Sequence, residues 1–116
     1  MHELGLCSDV VAAVERRAGQ RPVARVRIRV GRLHHVHPEA FEQSFALAAA
    51  GGVAAGAVAE LVVVPVTARC PACGLTAESD EVLPACPTCG AVGLQPLGGD
   101  ELILEAIEYR AQPQEV

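Results

Sequence analysis

The sequence predicts an α+β fold: a small mixed sheet of about three strands with two helices, plus an inserted zinc-ribbon-like domain. Three observations carry this. The chain opens on an apolar stripe of helical period, continues into a strictly alternating segment, and places a duplicated CPxCG pattern between two β-branched stretches.

Leu4, Cys7, Val11, Val14 and Ala18 recur at intervals of three and four, one stripe of an amphipathic helix over residues 3–18. Gly19 supplies the stop, and the acidic start (Glu3, Asp9) and basic end (Arg16, Arg17) suit the helix dipole. Residues 23–30 read VARVRIRV, with Val26, Ile28 and Val30 on one face and Arg25, Arg27 and Arg29 on the other, a half-buried strand with a wet basic face. Residues 31–37 form a polar connection. Pro38 and Glu39 then begin a second helix where proline is best tolerated; Phe41, Phe45 and Ala48 form its inner stripe and Gly51 and Gly52 end it. ELVVVPV over residues 60–66 reads as a strand, with Pro65 at an edge or at its end. The apolar residues of ELILEAIEY, 101–109, fit helix or strand about equally. A strand is preferred, because it would pair with residues 60–66 as a hairpin whose tip is everything between. Residues 1–69, completed by 96–116, then form one domain, and residues 70–95 a second.

Composition bounds the chemistry. With 51% hydrophobic but only 3% aromatic residues, no Trp, one Tyr and two Phe, Ala and Val must fill the core. The cations are nine Arg and no Lys, a lineage bias, and 14 acids leave a net charge of −5, which disfavours a general polyanion binder. The first twenty residues carry five charges and no continuous apolar segment, so no secretory signal is expected and the cytoplasm is the expected compartment. The most apolar run, residues 45–59, is too short for the roughly 20 residues that span a bilayer. Five cysteines in a cytoplasmic chain point to metal or redox chemistry rather than disulfides.

The most specific pattern is Cys70-Pro-Ala-Cys73-Gly and Cys86-Pro-Thr-Cys89-Gly, with 12 residues between Cys73 and Cys86. In such a knuckle two sulfurs approach one ion, and the glycine permits a turn that aims N–H groups at the thiolates. Two knuckles give four thiolates in a tetrahedron, suited to Zn²⁺ at about 2.3 Å per sulfur. The shell is then closed, so the zinc is structural or regulatory and not hydrolytic. Iron in a rubredoxin-like site shares this ligand set. The 26 residues of the tip cannot build a core, and metal binding would supply their folding free energy.

Met1, His2 and Glu3 form a second candidate site. The Met1 amine, the His2 backbone nitrogen and the His2 imidazole can close one five-membered and one six-membered chelate ring around one ion, giving three coplanar nitrogens. Ni²⁺ and Cu²⁺ favour square-planar nitrogen and oxygen sites. Glu3 offers its backbone nitrogen or carboxylate for the remaining position, or acts as an outer partner. The arrangement requires an unblocked Met1, which a residue as large as His2 normally leaves in place.

The MHE start on a helix, the half-buried strand, the PEAF helix, the Val-rich strand, the two CPxCG knuckles and the closing GDELILEAIE together resemble the HypA family of nickel-insertion accessory proteins. The likeness runs in order over essentially the whole chain. It implies a mixed α/β nickel domain with a small zinc domain, and a nickel metallochaperone rather than an enzyme. By that resemblance Ni²⁺ is held at Met1, His2 and Glu3, zinc at Cys70, Cys73, Cys86 and Cys89, and nickel passes, with a partner GTPase, to the hydrogenase large-subunit precursor and in some organisms serves urease. A monomer or weak homodimer is expected, with no nucleic-acid or membrane partner.

Other residues have plainer readings beside their functional ones. His34, His35 and His37 are either extra metal ligands or solvated residues of a strand-to-helix turn. Cys7 falls on an apolar stripe, where a free cysteine behaves as a small hydrophobe. Arg25, Arg27, Arg29 and Arg32 are a docking surface for an acidic partner or simply a wet strand face. Glu105 and Glu108 read as solvent-facing charges. No Ser/His/Asp arrangement, phosphate loop or pair of catalytic carboxylates is evident. The rival from another class is a zinc-ribbon module binding nucleic acid or a protein partner, opposed by the net charge and the lack of stacking aromatics.

Overall fold

A computed structural model describes residues 2–111. The elements run α1 (His2–Ala18), β1 (Val23–Gly31), a 3₁₀ turn (Arg32–His34), α2 (Pro38–Ala49), β2 (Val58–Val64), β3 (Val66–Arg69), β4 (Thr76–Ser79), β5 (Gln95–Gly98) and β6 (Leu102–Tyr109). They form two three-stranded sheets, ordered β2-β1-β6 and β4-β3-β5. The chain divides into two compact units. One contains residues 1–28, 36–62 and 103–116, the other residues 29–35 and 63–102.

In the first unit, α1 buries Cys7, Val10, Val11, Val14 and Ala18, the expected stripe widened by Val10 but without Leu4, which is half-buried. Gly19 ends it in the left-handed region (φ 62°), its N–H bonded to the Glu15 carbonyl at 3.0 Å. α2 starts with Pro38 in its first turn and buries Phe41, Phe45 and Ala49, so the inner stripe closes on Ala49 and not Ala48. Both phenylalanines are fully buried, as are Val14, Val23, Val26 and Ile28. The two large rings occupy volume that an Ala- and Val-rich core could not otherwise fill. The helices run parallel: the Cys7 thiol donates to the Phe41 carbonyl at 3.4 Å, and further along a Cβ on Gly52 would meet Glu15 Oε2 at 3.2 Å. Arg110 closes the unit. Its N–H bonds the Pro22 carbonyl at 2.9 Å, and its guanidinium donates to the Val23 and Ala55 carbonyls.

Two expectations require correction. Residues 101–109 do form a strand, but β6 does not pair with the strand of residues 60–66, because β1 lies between β2 and β6. The strictly alternating strand, whose inner row of Val26, Ile28 and Val30 is fully buried, takes the centre, where ladder bonds form on both edges. The segment 60–66 is also not one strand. Pro65 has no N–H for a ladder, and the chain divides there into β2 and β3, which join different sheets.

In the second unit β3 pairs antiparallel with β4 (Val66 opposite Ser79, Arg69 opposite Thr76) and with β5 (Ala68 opposite Pro96), with a register shift between Thr67 and Ala68. Gly31 N–H donates to the Glu101 carbonyl and Leu33 N–H to the Gly99 carbonyl, both at 2.8 Å. The backbones touch there: a Cβ on Gly31 would lie 1.9 Å from the Gly99 oxygen. Among the described residues no helix is long and apolar enough to cross a membrane.

Candidate metal centres

Cys70 closes β3 and Cys86 precedes a turn of the same form. In each knuckle the first cysteine's N–H bonds a carbonyl five residues on (Cys70 to Leu75, Cys86 to Ala91, both 2.8 Å), and its carbonyl accepts the glycine N–H four residues on (Gly74, Gly90, both 2.9 Å). Closing that loop puts Gly74 and Gly90 at φ 77°, a region that favours glycine, which is why a glycine follows each second cysteine. The two copies therefore fold alike because the same five-residue pattern meets the same steric rule.

The knuckles converge. All four sulfurs lie within 4.8 Å of one another, with Cys70 to Cys89 at 3.6 Å and Cys73 to Cys86 at 3.7 Å. A tetrahedron with zinc-sulfur bonds of about 2.3 Å has edges of ~3.8 Å, close to the two sulfur pairs at 3.6 and 3.7 Å, so the donor set suits Zn²⁺. Cys70 and Cys86 are buried, Cys73 and Cys89 exposed. Backbone dipoles favour thiolate at the buried pair: the N–H groups of Cys89 and then Thr88 push the Cys86 thiol down to about 6, and that of Cys73 lowers Cys70. The Ala91 N–H favours thiolate at Cys89, yet the neighbouring Cys70 thiol and burial push it up to about 11. Four clustered sulfurs cannot all ionise without a cation, and a divalent ion relieves that repulsion. This is the one group of three or more ligating side chains gathered together among the described residues.

Of the second candidate site, Met1 lies outside the described residues. His2 and Glu3 open α1, with His2 Nδ1 3.3 Å from Glu3 Oε1. The His2 side chain is 52% exposed and that of Glu3 only 12%, so a ring open to solvent sits beside a sheltered carboxylate. Glu3 is held below the usual carboxylate range by its own N–H, with His2 and the His37 N–H adding to this. N–H groups in a helix's first turn have no carbonyl four residues back, so an ion bound to backbone nitrogen there interrupts no helical bond.

The remaining candidates separate. His34 Nε2 is 2.8 Å from the Asp100 carbonyl, His35 caps the 3₁₀ turn in the left-handed region (φ 51°), and His37 caps α2 with no side-chain cap bond. Cys7 is fully buried, and burial, with Glu3 adding, raises its thiol to about 11, so it is a core residue. Arginines of the stripe meet acids within the chain: Arg25 meets Glu60 at 3.4 Å and Glu108 at 3.2 Å, Arg27 meets Glu60 at 3.6 Å and Arg32 meets Asp80 at 3.5 Å. A shallow groove of about 140 Å³ over Arg25, Arg27, Glu60, Ala106 and Glu108 is therefore lined by paired charges and offers no excess positive field to nucleic acid or an acidic partner. The alternation had displayed the arginines; it held no signal that acids from other strands would meet them.

Comparison with known proteins identifies the family. The family described as hydrogenase/urease nickel incorporation, metallochaperone, HypA matches residues 1–109. The chain is 39% identical over 111 residues to hydrogenase maturation factor HypA 2 of Bradyrhizobium diazoefficiens, covering 93% of this chain and 98% of the relative. It is 40% identical, with the same coverage, to hydrogenase maturation factor HypA of Rhodopseudomonas palustris strain BisB5. The fold is similar to the solution structure of the Ni metallochaperone HypA from Helicobacter pylori, with a TM-score of 0.65 at 19% identity over 95% of this chain and 98% of that one.

Proposed function

This chain belongs to the HypA family of nickel-incorporation metallochaperones for hydrogenase and urease, and on that premise we propose that it binds Ni²⁺ at Met1, His2 and Glu3 and passes it on by ligand exchange. Membership makes it a maturation factor and not an enzyme. The recipient is the nickel-iron hydrogenase large-subunit precursor, with a partner GTPase driving the transfer in the cytoplasm. Labour is divided between a nickel domain, residues 1–69 completed by 96–116, and a zinc domain of residues 70–95.

The observation that carries the nickel site is the pairing of His2 and Glu3 at the start of α1, an exposed imidazole with a carboxylate 3.3 Å from Nδ1. Nδ1 is the ring nitrogen that closes the six-membered chelate with the backbone nitrogen. Glu3 therefore sits against the nitrogen that must give up any proton to bind the ion, and is placed to accept that proton or to add a carboxylate oxygen to the ion. A site at the end of a chain has one open side, which suits an ion that must leave by associative exchange. Zn²⁺ on Cys70, Cys73, Cys86 and Cys89 supplies no open position. It cross-links two knuckles that contribute only two buried side chains, Cys70 and Cys86, between residues 70 and 95.

The test is Ni²⁺ binding, by calorimetry and visible absorption, to the untagged zinc-loaded protein, to His2→Ala, and to a variant extended by two residues before Met1. Loss of the stoichiometric site in both variants is expected. Equal binding to all three proteins would remove nickel from the chain start.

A further inference from the structure

The four sulfurs of the cysteine centre differ in their access to solvent. Cys73 and Cys89, the second cysteine of each knuckle, are exposed, whereas Cys70 and Cys86, the first of each, are 0% and 3% exposed. The short separations cross between the knuckles. Exposed Cys89 lies 3.6 Å from buried Cys70, and exposed Cys73 lies 3.7 Å from buried Cys86. Each sulfur open to solvent therefore has a sheltered sulfur of the other knuckle as its neighbour.

That arrangement has the form of a reactive thiol with a resolving thiol behind it. Cysteine oxidation follows exposure and thiolate character, so a small oxidant in solution reaches Cys73 or Cys89 first. The sheltered partner needs no solvent access to react with what forms there. Disulfide sulfurs lie about 2.05 Å apart, so each pair must close by about 1.6 Å, within the reach of a change in χ1. Between residues 70 and 95 the charges are Glu78, Asp80 and Glu81 with no cation, which favours an uncharged oxidant over an anionic one. Cys7 takes no part, being fully buried in the other compact unit.

We propose that the cysteine centre is an oxidation site for hydrogen peroxide, at which zinc is exchanged reversibly for two disulfides, one between Cys73 and Cys86 and one between Cys70 and Cys89. This rests on zinc occupancy of the four cysteines. The Cys73 thiolate attacks one peroxide oxygen: an S–O bond forms, the O–O bond breaks, and the hydroxide that leaves takes up a proton to become water. The Cys86 thiolate then attacks the Cys73 sulfur: an S–S bond forms, the S–O bond breaks, and hydroxide leaves with a second proton as a second water. Two thiolates lose two electrons and one peroxide gains them. The same steps at Cys89 and Cys70 consume a second peroxide and remove the last donors from the ion. The bridges are nested, spanning 13 and 19 positions, and they join the same two knuckles that the ion joined. The tip thus keeps a cross-link when the metal is lost.

The test treats the reduced, zinc-loaded full chain with hydrogen peroxide, follows zinc with a chromogenic chelator, and maps disulfides by mass spectrometry after acid quenching and alkylation. No substitution is needed, so no variant can fail by misfolding. About one zinc should be released for every two peroxides consumed. Dimedone should trap the sulfenic acid at Cys73 and Cys89 and not at Cys70 or Cys86, the bridges should join Cys73 to Cys86 and Cys70 to Cys89, and Cys7 should stay reduced. Dithiothreitol with added Zn²⁺ should restore the original zinc content. Zinc retained in a large excess of peroxide, with every thiol still open to alkylation after denaturation, overturns the proposal. Bridges within a knuckle, Cys70 to Cys73 and Cys86 to Cys89, overturn the crossed pairing, and zinc content that dithiothreitol does not restore overturns the reversibility. A chain that holds no zinc after loading, with its four thiols free before any peroxide is added, refutes the zinc reading itself.

Discussion

Gly31→Ala is expected to be among the most damaging single-methyl changes in the chain. Gly31 is buried at the end of β1, and its added Cβ would lie 1.9 Å from the Gly99 oxygen, 2.1 Å from the Gly99 carbonyl carbon and 2.6 Å from the Asp100 nitrogen. All three are backbone atoms, so no side-chain rotation relieves the clash. The two strands must part by about 1 Å before even a tight contact is reached. That shift breaks the 2.8 Å bonds from Gly31 N–H to Glu101 and from Leu33 N–H to Gly99, each contributing about 1 kcal/mol. Overpacking adds about 1 to 3 kcal/mol, giving a loss of roughly 3 to 5 kcal/mol. For a chain of this size that corresponds to a Tm lower by roughly 12 to 20 °C, read by thermal unfolding of the zinc-loaded protein. Gly5→Ala is the control. It lies within α1 with nothing within 4 Å of the added methyl, and should gain about 0.5 to 1 kcal/mol from reduced chain entropy. A Gly31→Ala protein melting within about 3 °C of the unaltered one would refute the close-approach argument.

Further expectations concern metal, acid and charge. Chelation of zinc should expose Cys70, Cys73, Cys86 and Cys89 to alkylation while Cys7, fully buried with its thiol near 11, stays unlabelled until the fold is denatured; mass spectrometry of the labelled protein checks this, and early labelling of Cys7 would contradict its core placement. Glu101 is held below the usual carboxylate value of 4.5 chiefly by the Gly99 N–H, then by its own and that of Asp100. A lowered folded value means its contribution is present above 4.5 and is lost as pH falls through the folded value, so Tm should drop on acidification below about 4.5. Glu101→Gln should flatten that acid limb, and parallel curves for the two proteins would count against the assignment. Arg25→Ala should cost less than about 1 kcal/mol in urea unfolding, and less still in high salt, because its pairs with Glu60 and Glu108 are exposed. A loss above about 2 kcal/mol would mean the cross-strand network is buried more effectively than its exposure indicates.

Short-range patterns proved legible in proportion to how local their causes are. The stripe Cys7, Val11, Val14, Ala18 marked α1 because helix periodicity is set over one turn, and Gly19 ended it because only one region of φ closes that cap. Pro38 opened α2, and the strict alternation of β1 survived as a buried row of Val26, Ile28 and Val30. ELILEAIEY was undecided between helix and strand from its own residues; pairing with β1 decided it. Each knuckle was readable because five consecutive residues contain all its constraints.

The sequence by itself therefore determined α1, β1, α2 and the two cysteine knuckles, since each is fixed by steric and hydrogen-bond rules acting within a few residues. Only the tertiary structure decided which strand is central, that Pro65 hands the chain from one sheet to another, that four sulfurs close to within 4.8 Å, and that Glu60, Glu108 and Asp80 meet arginines of the stripe. It also decided that two helices run parallel, with Cys7 against Phe41 and Glu15 near Gly52. Those outcomes join residues tens of positions apart. They depend on burying shared apolar faces and satisfying every backbone group at once, and no window of sequence holds both partners.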